Sequence, residues 1–484
     1  MSAGPFITPV EEALRPSTST EILAYLARLA AGSPRACCQH LGHSVRGQAL
    51  VALHCGEAAR GLPRVLLVGS HHGGSEPAGG EALLLLARDL LYGDLQGLLE
   101  RFEFMLVPNA NPDGRDAGSA RNAREVNLNR DYGLLSQPET QAVNALLLAW
   151  RPHIVLDAHE SAALKRHTLG AEGYLTDFDC QIDIANHPAS TAAQQALAVE
   201  LLEQTLQEVR ANGLRAQRYI KEIRSIRKPM THGGVAIGRF RNKAALYGAL
   251  SFLLETPMLP KDEVYPSYQN IAARTAQQQV CLRSFLRVLA RSPAVLDGVP
   301  ATATPLCAGM ALSLSGHYQV DPHEPVRWLD LQRYPSREPI QLPFANHGWL
   351  RPGPAVVVPT AYYITEHTAV FARALSAHGL RYEWVTQAAT VPVRSWRCAP
   401  TGQRAAAEDR LLALAAGHLQ VSTTQPLVRL ACLLLEWESP SALRRYPEFQ
   451  RLAVPGECQV VHRARALAPP AAGTGAAQRA AAPP

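Results

Sequence analysis

Histidine, carboxylate and arginine residues gather at four places in this chain, each directly after a short apolar run. The first is Gly69-Ser70-His71-His72-Gly73-Gly74-Ser75-Glu76. A neutral imidazole and a carboxylate offered from one tight turn can share a metal such as zinc, although a Gly-rich strand-to-helix turn with a histidine is more often structural. The second runs from Asn109 to Gly114 and continues through Arg121-Asn122 to Asn127-Leu128-Asn129-Arg130-Asp131-Tyr132. Arginine grips a carboxylate with a bidentate fork, and an adjacent asparagine adds one more hydrogen bond. A salt-bridged loop is the plainer alternative. The third, Asp157-Ala158-His159-Glu160, supplies a further histidine. That brings the donor set to three, the number a catalytic zinc takes while keeping its fourth position open. The fourth is Glu255, which ends the run Ser251-Phe252-Leu253-Leu254. A carboxylate there can act as general base; otherwise it is a paired structural group.

Four strands must position these clusters: Arg64 to Gly69, Phe102 to Pro108, His153 to Asp157 and Ser251 to Glu255. A helical pattern begins near Pro77 and ends at Gly93. Another begins at Ser136-Gln137-Pro138-Glu139, which has the spacing of a capping box, and continues to Trp150. Alternating strands and helices predict an α/β fold with a mostly parallel sheet. In such sheets ligands bind beyond the carboxyl ends of the strands, so four polar clusters at four strand ends converge on one site.

A chain of 484 residues exceeds one ordinary core. Residues 1–295 are expected to form a catalytic domain. Arg291 to Pro305, rich in Pro, Ala and Ser, reads as a boundary. Residues 305–465 should form a smaller α/β domain, with strands at Ala355 to Val358 and Arg381 to Val385 flanking a helix from Thr365 to Gly379. The Ala/Pro/Gly-rich tail, 466–484, is expected to be disordered. A formal charge of +6 with dispersed basic residues argues against a nucleic-acid partner. No apolar run approaches the ~18 residues of a membrane span. Met1 to Glu12 lacks the basic and apolar regions of a secretory signal, and nine dispersed cysteines form no C-x-x-C pair. Both features predict free thiols and a cytoplasmic location.

Taken in order, Gly-x-His…Glu, Asn-Pro-Asp-Gly, Arg-Asn…Leu-Asn-Arg-Asp-Tyr, Ser-x-Pro-Glu-Thr, Asp-x-His-Glu and Phe-Leu-Leu-Glu-Thr resemble the zinc carboxypeptidase superfamily over about residues 60 to 260. The resemblance implies a mixed, mostly parallel twisted sheet flanked by helices. It implies one zinc per chain, held by His72, Glu76 and His159. Arg121 would stabilise the oxyanion, Asn129 and Arg130 would hold the terminal carboxylate of a peptide or peptide-like substrate, and Glu255 would be the general base. Gly238-Arg239-Phe240-Arg241-Asn242 and Arg351-Pro352 through His378-Gly379 also resemble bacterial members of the superfamily.

The chain departs from the family pattern in three places. Three residues separate His72 from Glu76 where the family has two, which keeps His71 open as the ligand. Asn127 stands where the family usually has Asp behind a ligating histidine. No tyrosine has the family's spacing before Glu255, the nearest being Tyr219 and Tyr247. Two alternatives to a carboxypeptidase follow: an acyl-amino-acid deacylase resembling aspartoacylase and succinylglutamate desuccinylase, or a degenerate binding module. Side-chain specificity, oligomeric state and the role of the C-terminal domain are not legible in the sequence.

Overall fold

The apolar run Arg64–Gly69 is a strand with those bounds, and the other three expected strands form around it. The computed structural model describes residues 6–57, 60–162, 169–258, 270–292, 306–397, 407–452 and 460–465. The strands up to residue 258 are β1 (Ala36–His43), β2 (Ala49–Cys55), β3 (Arg64–Gly69), β4 (Glu103–Val107), β5 (Ile154–Ala162), β6 (Tyr174–Thr176), β7 (Cys180–Ile184), β8 (Ala216–Arg218) and β9 (Leu250–Met258). All but β6 join one eight-stranded mixed sheet in the order β1-β2-β4-β3-β5-β9-β7-β8. Its centre, β4-β3-β5-β9, is parallel. The junctions β1-β2, β2-β4 and β9-β7 are antiparallel.

The central strands are mostly apolar before their carboxyl ends because helices cover both faces. Val65 and Leu67, Phe104 and Leu106, and Ile154 and Leu156 point into one core with helices Ser19–Ala31, Ala78–Tyr92, Ala192–Ala211 and Ile271–Arg291. Leu66 and Val68, Met105 and Val107, and Val155 point into the other, beneath Pro138–Trp150 and Phe240–Leu246. Each such leucine or valine contributes roughly 1.5–3 kcal/mol on burial.

The helix Ala78–Tyr92 has Gly93 as its C-cap, as expected. The capping box expected at Ser136 does not form. The N-cap is Gln137, with Pro138 in the first turn. The Asp131 carboxylate competes successfully for this terminus, accepting from the Ser136 and Gln137 amides and the Thr140 hydroxyl. Glu139 turns instead to the Val45 amide and Asn122.

The C-terminal region is richer in strand than its sequence suggests. The strand Ala355–Val357 and the helix Thr368–Ala377 are present, but only Glu383–Trp384 of the Arg381 to Val385 run is strand. A six-stranded antiparallel sheet is built from residues 361–364, 383–384, 389–396, 407–414, 419–422 and 461–464. Residues 293–305 of the expected boundary and the tail from 466 lie outside the described residues. A hairpin, Val326–Arg333 with Pro339–Ala345, pairs with β6 and packs Leu329, Leu331 and Phe344 on Leu169, Ile220, Ile223 and Met230. No helix of the described residues is long and apolar enough to cross a membrane.

The two regions also meet at a buried pair of basic residues. Lys243 Nζ lies 2.7 Å from His378 Nδ1, and Tyr247 Oη donates to the Asn144 side chain and the His378 carbonyl. Burial pushes Lys243 well below the usual lysine range. Burial and then the Lys243 charge push His378 well below the usual histidine range. Both groups therefore take up protons on unfolding. Stability should fall as pH drops below the unfolded-state value of each group, about 10.4 for lysine and about 6.5 for histidine. Replacing the pair together, Lys243→Met with His378→Leu, should flatten that slope. It should also raise stability at pH 7, because folding no longer requires the lysine to give up its proton. Denaturant unfolding at several pH values is the check, and an unchanged slope would exclude the pair as its source.

Candidate metal centre and active site

The Gly-rich turn after β3 is folded by its backbone. Ser70 (φ 58°) and Gly73 (φ 47°) both take left-handed conformations, and Gly73–Ser75 winds into a short 3-10 turn. A side chain at Gly73 would sit 2.5 Å from the Gly114 backbone, so this position needs glycine. Ser70 and the turn are tied down by Arg115, whose guanidinium reaches Ser70 Oγ, the Pro77 carbonyl and the buried Glu81 carboxylate. The same close packing brings helix Ala78–Tyr92 onto β5, because a Cβ at Gly79 would lie 2.9 Å from Ala158.

These constraints separate the two histidines. His71 is fully buried, with Nδ1 2.7 Å from Asp157 Oδ1 and Nε2 2.6 Å from the Tyr132 hydroxyl. His72 faces a cavity of about 290 Å³ together with Glu76, His159 and Glu255. The three residues between His72 and Glu76 are taken up by the 3-10 turn, and the side chains still meet: His72 Nδ1 is 2.7 Å from Glu76 Oε1, and His159 Nδ1 is 2.8 Å from Glu76 Oε2. His72, Glu76 and His159 thus present donor atoms within 4.8 Å of one another. A second triplet, His71, Asp157 and His159, satisfies the same distance but is wholly buried.

The donor set fits a metal ion. Both Nδ1 atoms and one carboxylate converge on the cavity side, and the far nitrogen of each imidazole is held from behind. Asn127 Oδ1 lies 3.2 Å from His72 Nε2, and Asp157 Oδ2 lies 2.8 Å from His159 Nε2. An Nε2–H donated to these oxygens leaves Nδ1 its lone pair, the tautomer a ligand needs. Electrostatics agree. Burial alone would raise Glu76 and Asp157, but the surrounding imidazoles hold both carboxylates well below their usual range. Against burial, Asp157 and Glu76 raise His159 well above the usual histidine range. Such a concentration of anionic donors is what a cation would neutralise.

Glu255 stands beside His159 in the register of β5 and β9. Burial, reinforced by the Glu76 and Asp157 charges against the opposing pull of His159, pushes it up to about 8. Asn129 lines the cavity, but its amide is committed internally: Nδ2 donates to Asp157 Oδ2 at 3.4 Å, and Oδ1 accepts from the Phe240 amide. Arg130 lines the cavity, is exposed and donates to the Asn129 carbonyl. Arg121 does not line the cavity; it is exposed and donates to the Glu125 carbonyl. The cavity wall includes Arg239, Arg241 and Tyr219 instead.

Sequence reasoning missed Asp157 as a partner of His159. The signal was available, since residues two apart on a strand share a face. It also quoted Arg239 and Arg241 without a role, and nothing local marks them as cavity residues.

The model of the family described as zinc carboxypeptidase matches residues 22–195. Carboxypeptidase 2 of Trichophyton rubrum is 30% identical over 202 residues, which is 40% of this chain and 36% of that protein. Probable carboxypeptidase 2 of Trichophyton verrucosum is 30% identical over 199 residues, 40% of this chain and 38% of that one. The chain therefore spans under two fifths of the length of these curated relatives. A solved metallo-carboxypeptidase from Pseudomonas aeruginosa, in complex with (2-guanidinoethylmercapto)succinic acid, is 22% identical, covering 58% of this chain and 70% of that one with a TM-score of 0.43.

Proposed function

We propose that this chain is a zinc-dependent metallocarboxypeptidase that hydrolyses the C-terminal amide bond of a peptide or peptide-like substrate. The observation that carries the reading is the meeting of His72, Glu76 and His159 on one wall of a cavity that also holds Glu255 and Arg130. One zinc per chain, bound by those three residues, would supply Lewis-acid polarisation of the scissile carbonyl. Glu255, on the cavity lining beside His159, takes a proton from the attacking water and passes it to the leaving amine. Arg130 holds the substrate's terminal carboxylate at the cavity mouth, and Asn129 braces the Asp157 carboxylate behind His159. Asp157 and Asn127 orient the two ligating histidines. The seven described cysteines are all free, which supports a reducing, cytoplasmic setting.

The test is release of the C-terminal amino acid from N-blocked dipeptides by the zinc-loaded protein, abolished by a chelator and restored by zinc. Turnover of N-acyl amino acids in place of peptides would favour the deacylase reading. Arg130→Ala should raise KM strongly, with a loss on the order of 2–5 kcal/mol in transition-state binding. An unchanged KM and rate would remove Arg130 from the site.

A further inference from the structure

Arg130, Arg239 and Arg241 line the same cavity as the metal donors. Asp183 is fully buried and is shared: Arg241 Nη1 lies 3.2 Å from one carboxylate oxygen, and Arg218 Nε, outside the lining, lies 3.0 Å from the other. Arg241 also lies over the Tyr219 ring, 5.6 Å from its centroid, and its Nε is buried without a hydrogen-bond partner among the described residues. Arg239 is half-buried and lines the same cavity. Among the described residues no carboxylate and no hydrogen-bond acceptor pairs with its side chain. The loop beside it makes room for the guanidinium: a Cβ at Gly234 would lie 2.5 Å from Arg239 Cζ and Nη1, and one at Gly233 would lie 2.6 Å from Arg241 Nη2.

An unpaired guanidinium taken partly out of water and set beside two others is costly. Burial first, and then the Arg130 and Arg241 charges, press Arg239 down to about 10. This concentration of positive charge is relieved when an anion enters. Arg130, at the exposed end, is already matched by the terminal carboxylate under the carboxypeptidase reading. Arg239 then requires a second anionic group on the same residue.

We infer that the cavity selects a C-terminal residue with an acidic side chain, glutamate or aspartate, whose side-chain carboxylate is taken by Arg239 with Arg241 beside it. Arg239 is then a specificity-determining residue. The inference rests on the carboxypeptidase reading for the placement of the scissile bond, and on the unpaired arginine alone for the charge of the side chain. A basic side chain would be repelled by the same wall, and an uncharged one would leave Arg239 unmatched. Glu222, also on the cavity lining, is exposed.

The experiment compares kcat/KM for N-blocked peptides that differ only in ending with Glu, Gln, Leu or Lys, on the zinc-loaded protein. Wild type should favour Glu over Gln by at least about tenfold and disfavour Lys most, because a site with a buried polar partner discriminates strongly against a ligand that cannot match it. In Arg239→Gln the Glu-to-Gln ratio should collapse toward one, while Arg239→Lys keeps part of it. Thermal unfolding of both variants checks that they fold. Equal rates for Glu and Gln in wild type would overturn the inference. So would a variant in which all four peptides slow alike, since that assigns Arg239 to the terminal carboxylate. If no peptide is cleaved, the proposed activity fails, and calorimetric binding of the same Glu and Gln peptides decides the inference separately: equal affinities reject it, and tighter binding of Glu that Arg239→Gln abolishes upholds it.

Discussion

Replacing His159 with alanine should lower zinc retention from about one ion per chain to a trace and abolish hydrolysis. Each of the three donors is needed, since a catalytic zinc has three protein ligands. His159 is the most embedded of them: it is buried, its Nδ1 faces Glu76, and its Nε2 is held by Asp157. Loss of outer groups that merely orient a ligand typically weakens metal binding about 10–100-fold. Loss of the ligand itself should exceed the upper end of that range. Asn127 gives an opposite arm. Its amide oxygen stands 3.2 Å behind His72 Nε2 without a charge. Asn127→Asp should tighten zinc retention toward tenfold, because a carboxylate there makes the imidazole a stronger donor. Metal analysis after dialysis against a graded chelator reads both variants. A folded wild type that takes up no zinc from a supplemented buffer would remove the metal centre and leave a binding module as the better account.

Glu255→Gln should leave zinc bound and cut kcat by roughly 10²–10⁴-fold, the usual contribution of general acid–base catalysis. The substitution preserves size and hydrogen-bonding reach and removes only the proton-accepting carboxylate. Neighbouring groups remain in place, since Glu255 is not one of the three donors and meets His159 through the strand register. KM should change little. Metal content and rate measured on the same preparation separate this from His159→Ala, where both fall together. A glutamine variant that turns over at the wild-type rate would show that another group moves the proton. One that loses zinc as well would make Glu255 part of the metal site.

The sequence determined the elements that carry chemistry at strand ends. The apolar runs of β3, β4, β5 and β9 were legible because both faces of those strands are buried, so every position must be apolar. His72, Glu76, His159 and Glu255 stood out as candidates because each follows or ends one of these runs, where a polar side chain needs a partner. The strands β1, β7 and β8 left weaker traces. The first alternates little and is largely exposed, and the others are short and flank the sheet. Their identity depends on what pairs beside them. The C-terminal sheet joins strands up to a hundred residues apart, and no local pattern encodes that pairing.

Tertiary structure sets His71 and His72 in different surroundings. Adjacent residues in a left-handed turn point to opposite sides, one toward Asp157 and Tyr132 in the interior and the other toward the cavity. It also left Arg121 outside, held by its own loop, and set Arg239 and Arg241 on the cavity wall from a segment over a hundred residues later in the chain. Residue type and spacing can say that a group is able to do chemistry. Where its side chain points is decided by backbone conformation and by which distant elements close around it, and those are properties of the folded chain.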